Sequence, residues 1–203
     1  MAEKKKTSLF TWLVLFGILW FVYLAATKDT PRTSSTASST SSTPSRAPAP
    51  EPSWRHRSST DEMTGEVSHY ATSPDAMPAR QMSFPYANMR SWVAFGCKKG
   101  SEWAYFGFTT SPNITGDETR RGYNEIDTRI RWDSTVSETT LVQEWGSKFL
   151  HFSNTEKSSA AAKLAGANSV RLELNWYGQG KVHFDYTLKG SSAAISKARA
   201  GCK

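Results

Sequence analysis

Residues 91–108, SWVAFGCKKGSEWAYFGF, decide the fold class of this chain. Aromatic and β-branched side chains recur there with the period of two that is typical of a β-strand, first over residues 91–97 and again over residues 102–108. The KKGS segment between them contains a glycine and has the composition of a turn. The stretch therefore predicts a β-hairpin near the middle of a β-rich domain.

The same period of two recurs towards the C-terminus. It predicts further strands over residues 124–132, 139–145, 148–152, 170–176 and 182–188. Residues 153–156 form a capping box ahead of a short helix over residues 160–164, which stops at Gly166. Ser191 or Ser192 caps a last helix. The domain is accordingly predicted to be mainly β, an antiparallel β-sandwich with two short peripheral helices.

The chain has two cysteines, Cys97 at the end of the first hairpin strand and Cys202 after the last predicted helix. Two distant cysteines are expected to form one structural disulfide if the domain folds in an oxidising compartment. Such a bridge would close a loop of about 105 residues and stabilise the fold by roughly 4–5 kcal/mol in the chain-entropy model. Two unconnected buried thiols are the alternative.

An apolar run of 18 residues, residues 9–26, follows Lys4, Lys5 and Lys6 near the N-terminus. As a helix it would measure roughly 27 Å, which is close to the thickness of the hydrocarbon core of a bilayer. Because positively charged residues tend to stay on the cytoplasmic side, the lysines predict a cytoplasmic N-terminus. The chain is therefore predicted to be a single-pass inner-membrane protein with its folded domain in the periplasm.

A cleaved signal peptide is the main alternative to this anchor. Its apolar core would be shorter, about 7–15 residues, and cleavage after Ala26 would place Leu24 where a small residue is preferred. An uncleaved anchor is therefore favoured, followed by a Ser/Thr/Pro-rich segment typical of an extracytoplasmic stalk. The predicted organisation is a basic cytoplasmic tip (1–8), a transmembrane anchor (9–26), a disordered linker (27–57) and a β-rich globular domain (58–203).

The net charge of +7 is concentrated in the N-terminal part of the chain. Residues 1–57 carry eight basic and three acidic side chains, a net charge of +5, whereas residues 58–203 carry 17 basic and 15 acidic ones, a net charge of +2. A nucleic-acid-binding domain would have a strongly basic patch or stripe on its folded part. The charge distribution therefore argues against nucleic acid as a partner.

Several short motifs follow one another in order across residues 59–202. They are Asp61-Glu62-Met63-Thr64, Pro85-Tyr86, the strand ending in Cys97, Arg131-Trp132-Asp133, Leu164, Arg171, Phe184, Leu188, Gly190, Ala194-Ile195 and the closing Cys202. In this order and spacing the domain resembles a family of bacterial type VI secretion-associated accessory proteins, the VasI/TagO kind, which has relatives in prophage-like contexts. The resemblance implies an accessory role at the envelope and no known catalytic activity.

Two features differ from the family pattern. Family members usually have a short exported N-terminus, whereas this chain has a predicted anchor and a long linker. Residues 113–123 also form a longer loop than the pattern needs. These differences fit a redeployed relative, including one carried by a phage.

The residue types needed for catalysis do not occur in recognisable patterns. The four histidines, His56, His69, His151 and His183, form no H-x-H or H-x-x-x-H pair, and both cysteines are better used in a bridge. No metal or cofactor is therefore expected. The chain also has no G-x-S-x-G motif and no Gly-rich phosphate loop ahead of a helix. We therefore expect a non-enzymatic protein.

A cell-wall or glycan hydrolase is the alternative from a different functional class. It would need two carboxylates about 5–10 Å apart in a cleft, at least one of them with a raised pKa. Asp127, Asp133 and Glu144 are the first candidates for this role.

Two sets of charged residues are candidates for binding. Asp127, Arg129, Arg131 and Asp133 share one face of a predicted strand. This strip is expected to contact a partner or an anionic glycan, or else to be a solvated sheet face whose ion pairs contribute little. The basic loop residues Lys98, Lys99, Arg120 and Arg121 either meet lipopolysaccharide or phospholipid or only maintain solubility.

The residues together predict a membrane-tethered envelope domain that binds another protein. A superinfection-exclusion or immunity protein is a further alternative with the same sequence features.

Trp54, just before the predicted domain, is expected to be the most exposed tryptophan. Aromatic side chains on an otherwise polar surface would indicate a protein interface or a sugar platform.

Overall fold

The computed structural model describes residues 53–202. The predicted cytoplasmic tip, the anchor and all but the last five residues of the predicted linker lie outside this part of the chain. Among residues 53–202, neither helix has the length and apolar character that crossing a bilayer requires.

Ten strands and two helices make up the described part of the chain. The strands are β1 (Arg55–Thr60), β2 (Val67–Thr72), β3 (Ser91–Lys98), β4 (Ser101–Phe108), β5 (Asp117–Thr119), β6 (Tyr123–Trp132), β7 (Thr135–Glu144), β8 (Phe149–Phe152), β9 (Ser169–Trp176) and β10 (Gly180–Thr187). The helices are α1 (Lys157–Gly166) and α2 (Ser191–Gly201). Every strand pairing is antiparallel, which confirms the mainly β class with two helices.

The strands form one curled sheet in the order β1-β2-β3-β4-β8-β7-β6-β9-β10, with β5 paired to β6 beside this path. A sandwich of two separate sheets is not confirmed. The segment after β2 explains the curl: Ala76 exchanges backbone hydrogen bonds of 2.7 and 2.9 Å with Ser91 of β3. Three residues later, the Ala79 amide donates to the His183 carbonyl of β10 at 2.8 Å. One segment thus joins the first half of the sheet to its last strand.

Aromatic side chains from opposite walls of the curled sheet fill its interior. Phe106 of β4 lies 5.5 Å from Tyr186 of β10, and Phe108 lies 5.6 Å from Phe184, measured between ring centroids. The Tyr186 hydroxyl lies 2.6 Å from the buried Ser91 hydroxyl, which satisfies both polar groups. The core therefore occupies the concave side, and the side chains that alternate with it face outward.

The two cysteines are paired as predicted. The sulfurs of Cys97 and Cys202 lie at bonding distance, the two Cα atoms are 5.8 Å apart, and both residues are buried. The bridge fixes the end of α2 to β3. Gly201 packs so closely on β2 that an added Cβ would lie 2.3 Å from the His69 ring.

Both helices begin differently from the prediction. α1 starts at Lys157 with Glu156 at its N-cap and without a side-chain cap bond, so the capping box expected from Ser153 does not form. The Glu156 carboxylate instead accepts hydrogen bonds from the Thr139 hydroxyl at 2.6 Å and the Thr140 amide at 3.2 Å. α2 follows Gly190, whose φ of 86° lies in the left-handed region, and neither predicted serine caps it through its side chain.

The prediction that Trp54 is exposed is wrong. Trp54 is 6% exposed, and its Nε1 donates to the Thr187 carbonyl at the end of β10 at 2.8 Å. Because the indole buries its apolar ring and keeps its polar hydrogen bonded, the folded structure begins before residue 58. β1 accordingly starts at Arg55, inside the segment predicted as linker.

Candidate functional site

The outer face of β2, β3, β4 and β8 carries a cluster of aromatic side chains. They are Tyr70, Trp92, Trp103, Tyr105, Phe149 and His151. Each alternates with an inward-facing core residue, as Tyr105 does with Phe106, so the strand period itself turns them away from the core. We call the surface that they line the aromatic groove.

Two glycines let the tryptophans lie flat on the sheet. Gly96 is the cross-strand partner of Trp103, and Gly107 is the partner of Trp92. A Cβ added at Gly96 would lie 2.2–2.5 Å from three atoms of the Trp103 indole, and one at Gly107 would lie 2.3–2.6 Å from three atoms of Trp92. Because the three distances are nearly equal in each case, each indole rests face down on its glycine and turns its other face outward.

Other aromatic rings stand upright beside these two indoles. Tyr70 meets Trp103 edge to face, with ring centroids 6.0 Å apart and planes at 78°. Phe149 meets Trp92 at 6.4 Å and 76°, and Tyr105 at 5.3 Å and 87°. These are favoured geometries for aromatic pairs, so the groove has a flat floor and fixed walls.

The groove consists of two adjoining hollows. The first has a volume of about 420 Å³ and lies among Trp103, Tyr105, Phe149 and β1. The second, of about 630 Å³, extends from it past Trp92 to Ser53. Arg57 and Thr72 line both hollows, so the two hollows adjoin at these residues.

Two arginines of β1 stand beside the aromatic groove. Arg55 and Arg57 are two residues apart, so they share a face of β1, and they pair in register with Thr72 and Tyr70. Within residues 53–202 neither forms an ion pair with a carboxylate. Most other arginines do: Arg90 pairs with Asp75, Arg120 with Glu118 and Glu125, Arg129 with Glu173, Arg171 with Asp185 and Arg199 with Glu102. The β1 side of the groove is therefore positively charged, whereas Asp75, which also lines the second hollow, has Arg90 as its partner at 3.8 Å.

The floor of the groove is uncharged at neutral pH. Burial raises the pKa of Tyr105 to about 12, with a further increase from Tyr70 and opposing effects from Arg57 and from a hydrogen bond with Trp92. Burial also lowers the pKa of His151, although the charge of Glu144 acts in the opposite direction. Both side chains are consequently neutral, and the charged residues that line the two hollows are Arg55, Arg57 and Asp75, the last of them paired with Arg90.

Arg129 and Asp127 of the predicted charged strip are bound by neighbouring side chains, whereas Arg131 forms no ion pair within residues 53–202. Arg129 donates to both carboxylate oxygens of Glu173 at 2.8 Å, and His183 lies 2.9 Å from the same carboxylate. Burial alone would raise the pKa of Glu173, but hydrogen bonds from Arg129, His183 and Lys181 lower it to about 2. Asp127 accepts a hydrogen bond from the Thr140 hydroxyl at 2.7 Å. These contacts favour the solvated-face interpretation of the strip.

Asp133 does not belong to that strip, because β6 ends at Trp132 and Asp133 lies in the following turn with a φ of 50°. Its carboxylate accepts hydrogen bonds from the backbone amides of Asn168 at 3.0 Å and Ser169 at 2.8 Å. Partial desolvation opposes the effect, but these bonds lower the pKa of Asp133. The side chain joins the β6–β7 turn to the start of β9.

The three carboxylates named for a hydrolase do not meet. Glu144 pairs with Tyr123, four residues from Asp127 along β6, and Asp133 lies six residues from Asp127 in the other direction. These separations correspond to about 13 and 20 Å. A hollow of about 550 Å³ between β6 and β9 does contain Asp127 and Glu173. The pKa of Glu173 is lowered, however, which does not suit a general acid.

Three of the four predicted basic loop residues are paired with carboxylates. Lys98 and Lys99 both contact Glu66, and their hydrogen bonds lower the pKa of that carboxyl to about 2. Arg120 pairs with Glu125 at 3.1 Å. These residues therefore stabilise local turns. Within residues 53–202 no cluster of three or more His, Cys, Asp or Glu side chains could hold a metal ion.

The aromatic groove was not among the predicted sites, although the sequence contains a signal for it. In a hairpin whose turn is centred on residues 99 and 100, residues equally far from the turn pair across the two strands. Trp103 is therefore opposite Gly96, and Trp92 is opposite Gly107. Two tryptophans facing two glycines in one hairpin indicate a flat aromatic surface. Comparisons of the chain with family models, with curated proteins and with solved structures find no match.

Proposed function

We propose that this chain is a non-catalytic binding domain of the cell envelope, anchored in the inner membrane by residues 9–26, with its folded part in the periplasm. The aromatic groove is its binding surface. The observation that carries the proposal is the pair of indoles laid flat on Gly96 and Gly107, beside two arginines that pair with no carboxylate of residues 53–202.

The composition of the groove supports a binding role. Trp, Tyr and Arg are the residues in which binding free energy is concentrated, and monomeric proteins rarely keep contiguous apolar surface without a use for it. The core already lies on the other face of the sheet, so Trp92 and Trp103 are not needed to fill it. Their outward faces are left free for a ligand to cover.

The disulfide and the apolar leader support the location. A buried bridge between Cys97 and Cys202 is stable in an oxidising compartment such as the periplasm. A tether raises the effective concentration of the groove near the membrane without adding chemistry. By resemblance, the role would be that of an accessory factor of type VI secretion or of a phage-borne relative at the envelope.

The test uses the full-length tagged protein, cross-linked in bacterial cells and purified from detergent-solubilised membranes. Wild type is compared with Trp103→Ala and with Arg57→Gln, which keeps an exposed polar side chain and leaves the fold intact. Trp145→Ala is the matched control, because Trp145 is 62% exposed and does not line the groove. An envelope component retained by wild type and Trp145→Ala but lost by both groove variants supports the proposal. Identical material from all four proteins would contradict it.

A further inference from the structure

We propose that the ligand of the aromatic groove is the carboxylated glycan of the cell wall, with its sugar rings stacked on Trp92 and Trp103 and its carboxylates bound by Arg55 and Arg57. This inference rests on the proposed function, because it names the ligand of the same groove.

The flat floor of the groove is the first argument. A pyranose ring has an apolar face of C–H groups, which carry slight positive charge and pack on the negative face of an aromatic ring. That contact needs an indole lying parallel to the surface, as Trp103 does on Gly96 and Trp92 does on Gly107. A protein partner, by contrast, usually inserts a side chain into a deep pocket. The shape of this floor therefore favours a ring-shaped ligand.

The spacing of the two indoles indicates an oligosaccharide. Trp103 lies four residues along β4 from Gly107, the glycine that supports Trp92. Four residues of a strand correspond to roughly 13 Å, which is more than one sugar ring spans. Tyr105 lies between the two positions on the same face. The groove therefore suits several linked sugar units that cross the sheet from one indole to the other.

The arginines on the rim of the groove indicate a negatively charged ligand. Arg55 and Arg57 present guanidinium groups that bind a carboxylate through two parallel hydrogen bonds, and within residues 53–202 no carboxylate pairs with either of them. Ser59 and Thr72 share the face of β1 and β2 that carries Arg57, line the first hollow and offer hydroxyl groups to sugar hydroxyls. The neutral Tyr105 and His151 add no negative charge to the first hollow, and Asp75, which lines the second, is paired with Arg90.

The length of the chain before the groove restricts where the ligand lies. Ser53 lines the second hollow, and 26 residues separate it from the end of the predicted anchor at residue 26. Fully extended, that segment reaches at most about 90 Å. The ligand must therefore lie within this distance of the inner membrane, which holds for the cell wall in the periplasm.

The experiment measures binding to the full-length protein in detergent by quenching of tryptophan fluorescence. The acidic probe is a soluble oligomer of N-acetylglucosamine and N-acetylmuramic acid, and the neutral probe is an N-acetylglucosamine tetramer, which has similar rings and no carboxylate. We expect the acidic probe to bind at least tenfold more tightly than the neutral one. Trp103→Ala should abolish binding of both probes, Arg57→Gln should reduce the affinity for the acidic probe to that for the neutral probe, and Trp145→Ala should bind like wild type.

Three results would overturn the inference. Equal affinity of wild type for both probes would show that the arginines do not recognise the carboxylates. Unchanged binding of the acidic probe by Arg57→Gln, with its fold verified by circular dichroism, would do the same. If neither probe binds but a cross-linked protein partner is lost in the groove variants, the ligand is a protein, and the glycan inference fails while the proposed function stands. If the groove variants also retain every envelope component, both fail.

Discussion

Gly96 and Trp103 are cross-strand partners, and the Trp103 indole occupies the space that any side chain at position 96 would need. The same relationship holds between Gly107 and Trp92. The shape of the groove floor is thus set by the absence of two side chains.

Gly96→Ala should tip the Trp103 ring off the sheet and destabilise the fold by about 1–3 kcal/mol, the usual range for overpacking. Denaturant unfolding measures the stability, and near-ultraviolet circular dichroism reports the environment of the indole. Gly166→Ala is the control, because an added Cβ there meets nothing within 4 Å, so its stability should stay the same or rise slightly. Equal stability of Gly96→Ala and wild type would show that the ring does not rest on the glycine.

Replacing both cysteines, Cys97→Ala with Cys202→Ala, should lower the stability of the domain by about 2–5 kcal/mol, because the bridge no longer restricts the unfolded chain. Thermal melts with and without reductant measure the effect. Reductant should lower the melting temperature of wild type and leave the double variant unchanged. Two reactive thiols in denatured, non-reduced wild type would contradict the bridge.

Lowering the pH should weaken the interactions of Glu173 with Arg129, Lys181 and His183 and thereby destabilise the fold. The pKa of Glu173 is lowered from the ordinary value of 4.5 to about 2 in the folded state, so the carboxylate stabilises the fold above pH 4.5, and this stabilisation is lost as the pH falls towards 2. Glu173→Gln should therefore flatten the acid limb of the stability curve between these pH values, as measured by urea unfolding. Glu138→Gln, an exposed carboxylate lining the same hollow, should keep the wild-type slope.

Trp54→Ala should destabilise the domain by about 3–5 kcal/mol, since it removes a buried indole. Trp54→Phe should lower the free energy of unfolding by about 1 kcal/mol, the usual contribution of a hydrogen bond such as the one to the Thr187 carbonyl. Trp145→Ala should be nearly neutral, because that ring is 62% exposed. Urea unfolding of the three variants measures their free energies of unfolding. If Trp54→Ala is as stable as wild type, the domain starts after residue 54.

The predicted orientation is tested with C-terminal reporter fusions. Alkaline phosphatase fused to residue 203 should be active, because it folds only in the periplasm, and the fusion should sediment with the inner membrane. A fluorescent reporter that requires the cytoplasm should stay dark at the same position. Cytoplasmic activity of the fusion, or its release in soluble form, would contradict the anchored topology.

Strands with a strong apolar period could be predicted from the sequence alone. β3, β4, β9 and β10 lie within two residues of their predicted limits, because each has a buried face whose side chains repeat every second residue. β1 could not be found this way, since all six of its residues are exposed and its sequence has no apolar alternation. Pairing with β2, a tertiary contact, makes it a strand.

The candidate site was harder to predict than the fold. Arg129 was a predicted binding residue, but the structure shows that Glu173 pairs with it, and a partner three strands further along the chain is invisible to local patterns. The aromatic groove combines the β3–β4 hairpin with β1, β2 and β8, which join it only after the sheet forms. Only the hairpin part of the groove, where tryptophans lie opposite glycines, could be predicted from the sequence.

The contact between Trp54 and Thr187 also has a mechanical consequence. Trp54 precedes β1, so in the proposed anchored topology a pull from the membrane would reach this indole before it reaches the first strand. β10 is held in turn by Ala79, which donates to its backbone. In that topology, force applied through the N-terminal segment would load the contact between Trp54 and β10 first, and β1, with one wall of the groove, would be protected from being peeled off the sheet.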